Sequence, residues 1–167
     1  MRTKEWIPAV IVVATFLAII VNMWWVSTQR AEQDQARPTA TPFDAQTVET
    51  GRAIYVATCA PCHGADGVGA PGWQQPNPDG SHLPPAHDGT GHTWHHGDGY
   101  LFRIIRDGAT TRTIPNVPPA PANMPAFSQR LSPEEIKAVV AYIKTLWTAE
   151  QRDAQAEIST HDPFPRF

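Results

Sequence analysis

The sequence predicts an all-α protein in two parts, one N-terminal membrane-spanning helix and a small helical domain threaded with long irregular loops. Three observations carry this expectation. An uncharged apolar run, Trp6 to Val26, lies near the start of the chain. Three later stretches repeat apolar residues at helical spacing beside capping or stop residues. With 17 prolines and 11 glycines in 167 residues, much of the remaining backbone has no period at all. The division expected is an anchor at 1–26, a polar tether at 27–43, a compact domain at 44–149 and a C-terminal tail at 150–167.

The Trp6–Val26 run is long enough, at about 1.5 Å per residue, to cross one bilayer core. Trp6, Trp24 and Trp25 stand at its ends, where aromatic belts form. A cleaved signal peptide is the rival reading, but its apolar region is normally shorter and Val26-Ser27-Thr28-Gln29-Arg30 is a poor cleavage site. Arg2 and Lys4 precede the run, which places the N-terminus in the cytoplasm and the rest on the periplasmic, extracytoplasmic side. The expected location is thus the cell inner membrane, with a single pass. Ser27 to Phe43 is polar, carries Pro38 and Pro42, and reads as a tether, with a helical continuation open as far as Arg37.

Asp44 or Thr47 caps a first domain helix running to about Thr58, with Gly51, Ile54, Tyr55 and Thr58 on one face. Directly after it stands Cys59-Ala60-Pro61-Cys62-His63. Two thiols two spacers apart can add across the vinyl groups of one porphyrin, and the adjoining imidazole can then face the iron. A structural zinc site needs four ligands, and these are the only two cysteines. A dithiol redox pair uses the same spacing in a strand-to-helix setting and would leave His63 idle. The motif therefore predicts one covalently bound haem c on Cys59 and Cys62, with His63 as an axial ligand.

Residues 64–97 have no helical period, and the bound group would supply the packing that so long a loop lacks. His82, His87, His92, His95 and His96 fall in this stretch. Dispersed loop histidines are more often solvated or hydrogen-bonded than metal-bound, although a second metal site is an alternative. Asp98 to Asp107 reads as a short helix stopped by Gly108, and residues 110–129 as irregular again. The last clear helix starts at Ser132-Pro133 with Glu135 completing a capping box, and Ile136, Val139, Val140, Ile143, Leu146 and Trp147 form its apolar stripe. The polar segment after Glu150 is expected to be loose or laid on a partner. For the second axial ligand, Met124 is the only methionine outside the anchor, and a histidine is the alternative.

Together, G-R-A-I-Y-V-A-T-C-A-P-C-H-G at 51–64, L-F-R-I-I-R-D-G at 101–108, M-P-A-F at 124–127 and L-S-P-E-E-I-K-A-V-V-A-Y-I-K-T-L at 131–146 resemble a class I, mono-haem cytochrome c over roughly residues 44–149. The resemblance implies a fold whose first and last helices cross closely, with Gly51 and Tyr55 facing Val139 and Tyr142. It also implies a proline carbonyl accepting a hydrogen bond from the proximal imidazole, from Pro84 or Pro85, and a propionate-binding role for Trp94. Thioether ligation by Met124 raises the reduction potential.

The formal charge of −3 gives no nucleic-acid footprint. Residues 43–167 hold nine Lys/Arg against thirteen Asp/Glu, so the lysine ring of mitochondrial-type carriers is absent. No acid–base or nucleophilic site is visible, which points to an electron carrier without a small-molecule substrate rather than an enzyme. The expected partners are the membrane and the other subunits of a respiratory or photosynthetic complex. The expected role is single-electron transfer from a quinol-oxidising complex, an alternative complex III among the options, to a downstream acceptor. A cytochrome c subunit of a terminal oxidase, a haem-based gas or redox sensor, and a copper or haem delivery module are the alternatives.

Overall fold

The computed structural model describes residues 7–36, 43–114 and 117–166, with side chains at 10–30, 43–109 and 123–166. The chain divides into two units, residues 1–37 and 38–167.

The described residues of the first unit form one helix, α1 (Ile7–Ala36). Its segment Val10–Arg30 is long and apolar enough to cross a membrane. Apolar side chains from Val10 to Trp25 are exposed all round it, as suits a helix surrounded by hydrocarbon. The Thr15 hydroxyl donates to the Val12 carbonyl, 2.8 Å away, so the polar group is satisfied inside the helix. The tether expected from Ser27 is helical as far as Ala36. Gln29, Arg30, Ala31, Glu32, Gln33 and Gln35 are good helix formers, and Pro38 disfavours helix at the residue before it.

The second unit is helical around one core. Asp44 caps α2 (Ala45–Thr58), accepting from the Thr47 N–H at 2.9 Å. A single turn, α3 (Ala60–His63), follows at once. The long loop after it carries a 3-10 turn at Thr93–His95 and leads into α4 (Asp98–Asp107). α5 (Pro133–Thr145) opens with the expected Ser132–Glu135 capping box. The most extensive helix contact is between α2 and α5. Tyr55, Leu101, Phe102, Ile136, Val139, Val140 and Trp147 form the buried centre.

The α2–α5 crossing is closer than side chains would permit. A Cβ on Gly51 would lie 1.9 Å from the Ala138 carbonyl oxygen and 3.1 Å from the Tyr142 Cβ. The nearest atom is thus backbone, the Ala138 carbonyl, with the expected neighbour Tyr142 next and Val139 buried in the same cluster as Tyr55.

Two expectations are corrected. The stretch read as irregular after Gly108 holds an antiparallel pair, β1 (Ala109–Ile114) and β2 (Val117–Met124). The prolines of β2 are tolerated because both strands of a two-stranded hairpin are edges, and the pairing is irregular, with register shifts between Ala109 and Thr111 and between Arg112 and Ile114. The tail read as loose or laid on a partner is a helix, α6 (Ala149–His161), folded onto the domain itself. Its capping box, Thr148 with Gln151, is polar, and its buried anchor is Gln155, which leaves no apolar period to detect. Gln155 Nε2 donates to the His96 carbonyl at 3.1 Å and to Asp98 Oδ1 at 2.7 Å. Beyond α6, the Arg103 guanidinium grips Asp162 with two bonds of 3.0 and 3.1 Å.

Candidate functional site

The C-terminal end of α2 and the turn of α3 build the site. The N–H of Cys62 and that of His63 both donate to the Cys59 carbonyl, at 3.1 and 2.9 Å. One helical turn therefore stacks Cys59 and Cys62 at i, i+3 on one face, with His63 beside them. Both thiols are free; Cys59 is buried and Cys62 exposed. Burial, reinforced by Cys62, pushes the Cys59 thiol up to about 11.

The His63 ring is buried, and its Nδ1 lies 2.8 Å from the Pro85 carbonyl oxygen. A carbonyl can only accept, so Nδ1 carries the proton and Nε2 presents its lone pair. Burial depresses the His63 pKa, partly opposed by the Pro85 bond, and so keeps the ring neutral. Of the two prolines expected as acceptor candidates, Pro85 has the geometry, while the Pro84 carbonyl receives the Ala70 N–H at 2.9 Å.

Met124 ends β2 and packs, half-buried, against the same core as Cys59. Its place is set by backbone. Gly108 (φ +74) ends α4, and a Cβ there would meet the Met124 carbonyl oxygen and the Ala126 nitrogen at 2.6 Å. Downstream, the Phe127 N–H donates to the Ile105 carbonyl at 3.1 Å. Trp94 is partly buried against the core, stacked 3.6 Å from His95, and its indole N–H donates to the Gly91 carbonyl at 3.1 Å. The N–H that a propionate would require is thus directed at Gly91.

One contact escaped the sequence reading. His87 stacks face to face on His63, with ring centroids 3.9 Å apart and planes 20° from parallel. Burial, with lesser effects from His63 and His92, pushes His87 down to about 3. The available signal was its position two residues after the acceptor proline. Among the described residues, no three His, Cys, Asp or Glu gather as a metal site.

The donor set fits haem c. Two free thiols share a helix face, and a neutral imidazole has one nitrogen engaged and the other open. A thioether packs on the core that both helices share.

Comparison with known proteins agrees. The chain is 33% identical over 105 residues to the gluconate 2-dehydrogenase cytochrome c subunit of Pantoea cypripedii, covering 59% of this chain and 20% of that protein. It is 27% identical over 150 residues to the cbb3-type cytochrome c oxidase subunit CcoP of Rubrivivax gelatinosus, covering 80% of this chain and 42% of that protein. The chain thus spans less than half the length of either relative. The family model for cytochrome c matches residues 48–147, the span from α2 to the end of α5, and the chain belongs to that family, whose cofactor is covalently bound haem c.

Proposed function

We propose that this chain is a membrane-anchored, mono-haem electron-transfer subunit of a larger oxidoreductase complex. Cys59 and Cys62 would hold one haem as thioethers, and His63 and Met124 would ligate its iron. Haem held there supplies reversible one-electron iron chemistry, and the protein sets its potential and orientation. Pro85 fixes the His63 tautomer, Pro84 and Trp94 line the pocket, and Met124 raises the potential. The observation that carries this reading is the His63–Pro85 bond of 2.8 Å beside two free thiols on one helical turn. Buried His63 has its proton on Nδ1 and its lone pair on Nε2, the arrangement a metal-bound imidazole needs.

The Val10–Arg30 segment anchors the chain, with the haem domain on the periplasmic side. Anchoring raises local concentration beside a fixed partner without requiring a charged docking face. The electron donor is a quinol-oxidising complex, an alternative complex III being one form, and the acceptor lies downstream. A second reading, the cytochrome c subunit of a terminal oxidase, is favoured by the likeness to CcoP, which runs over 150 residues and so beyond the haem domain.

The test is to purify the protein from native membranes in mild detergent, assay its haem and identify the subunits that travel with it. One haem c per chain that resists acid–acetone extraction, together with subunits of a quinol-oxidising complex, supports the first reading. Oxidase subunits support the second. Haem that extracts freely, or a protein that purifies alone, overturns the subunit proposal.

A further inference from the structure

We infer that His87 is a positioning residue that fixes the plane of the His63 ring, and with it the electronic character of the axial ligand. The inference rests on the reading of His63 as a ligand. The Pro85 carbonyl holds the His63 ring by one edge, through a bond 2.8 Å long. A single edge contact leaves the ring free to swing about that bond. The His87 ring closes this freedom by lying on the His63 face, 3.9 Å away and 20° from parallel.

His87 is itself held on every side. Its N–H donates to the Gly67 carbonyl at 2.6 Å, and its own carbonyl accepts the Trp147 indole N–H at 2.7 Å. Its Nδ1 lies 3.2 Å from the Tyr55 hydroxyl, whose ring meets it edge-on with centroids 5.8 Å apart. Tyr55 is fully buried and packs on Tyr142, 5.1 Å away, at the α2–α5 crossing. The plane of the His63 ring is therefore tied, through three aromatic contacts, to the crossing of α2 and α5. An aliphatic side chain would fill the same volume without burying ring nitrogens, which costs free energy unless they are bonded. The imidazole adds a π face, and such a face favours the positive character that His63 gains when the iron is oxidised.

The test uses the full chain in detergent, as wild type, His87→Leu, His87→Phe and Tyr55→Phe. Proton NMR of the oxidised protein gives the order of the paramagnetically shifted haem methyl resonances, which follows the axial ligand planes. Redox titration gives the midpoint potential. His87→Leu should reorder the methyl resonances and raise the potential. His87→Phe, which keeps a flat face but loses the Tyr55 bond, should return both toward wild type, and Tyr55→Phe should give a smaller change of the same kind. A wild-type pattern in His87→Leu overturns the inference. So do identical changes in His87→Leu and His87→Phe with equal losses of melting temperature, because they identify plain packing. A wild type without a low-spin spectrum overturns the assignment of His63 first, and this role with it.

Discussion

An imidazole serves as a one-sided ligand only when its other nitrogen is engaged, and in this chain Pro85 engages it for His63. The Cys59–His63 spacing was readable in the sequence because one helical turn dictates it. The acceptor could be narrowed only to Pro84 or Pro85, since the choice depends on how a loop closes 22 residues later. The His87 stack was missed because its one signal, a place two residues after the acceptor proline, has meaning only once Pro85 is known to be that acceptor. Met124 stands differently again. It contributes no covalent attachment, and its place is set by the close approach of Gly108 to its backbone and by packing on the core. Met124→Ala should therefore keep the haem attached while opening the sixth coordination position. The reduced variant should bind carbon monoxide and its potential should fall, as absorbance and redox titration will record. An unaltered spectrum would transfer the ligand role to a histidine such as His92 or His95.

At the scale of elements, the helix crossing was legible from Gly51 and the stripe of α5, but the close approach of the Ala138 backbone was not. Gly51→Val drives its side chain into the Ala138 carbonyl oxygen, a backbone atom that cannot rotate away. The loss should be about 3 kcal/mol, the upper part of the range for overpacking. Tyr142→Ala should restore little of it, since Tyr142 is the more distant neighbour; thermal melts of the single and double variants decide this. α6 was not legible because its attachment is polar. Lys144, on α5, lies 2.5 Å from Asp98, with side chains 10% and 14% exposed, and Asp98 also receives Gln155 from α6. Burial lowers the Lys144 pKa, partly countered by Asp98, so desolvation is the larger effect on the lysine. Removing one partner of such a pair strands the other, at a cost of about 3–5 kcal/mol. Lys144→Ala should lower the melting temperature and expose Ala149–His161 to proteolysis before the rest of the domain. A replacement of both partners, Asp98→Leu with Lys144→Met, should recover much of the loss, because no charge is then left buried alone.

At the scale of the whole chain, the two units have separate physical jobs and should be separable. α1 exposes its apolar residues on all sides, whereas the core of residues 38–167 is closed by its own helices. α1 also continues ten residues past Val26, about 15 Å of helix at 1.5 Å per residue, so the expected tether begins as a rigid rod. Full-length protein should therefore stay with membranes through high-salt washing, which disrupts charge contacts but leaves apolar insertion intact. A chain lacking residues 1–37 should be soluble and should keep the absorption spectrum and redox potential of the whole protein. Its electron delivery to washed membranes should change in kind. With the anchor, encounter is local and the rate is set by effective concentration; without it, the rate should rise linearly with added protein. The balance of nine Lys/Arg against thirteen Asp/Glu in residues 43–167 gives no attraction toward an acidic partner, so the soluble form should be slow at low salt as well. A truncated chain that still pellets with membranes, or that delivers electrons as fast as the anchored form at equal concentration, would refute the anchor as the source of proximity.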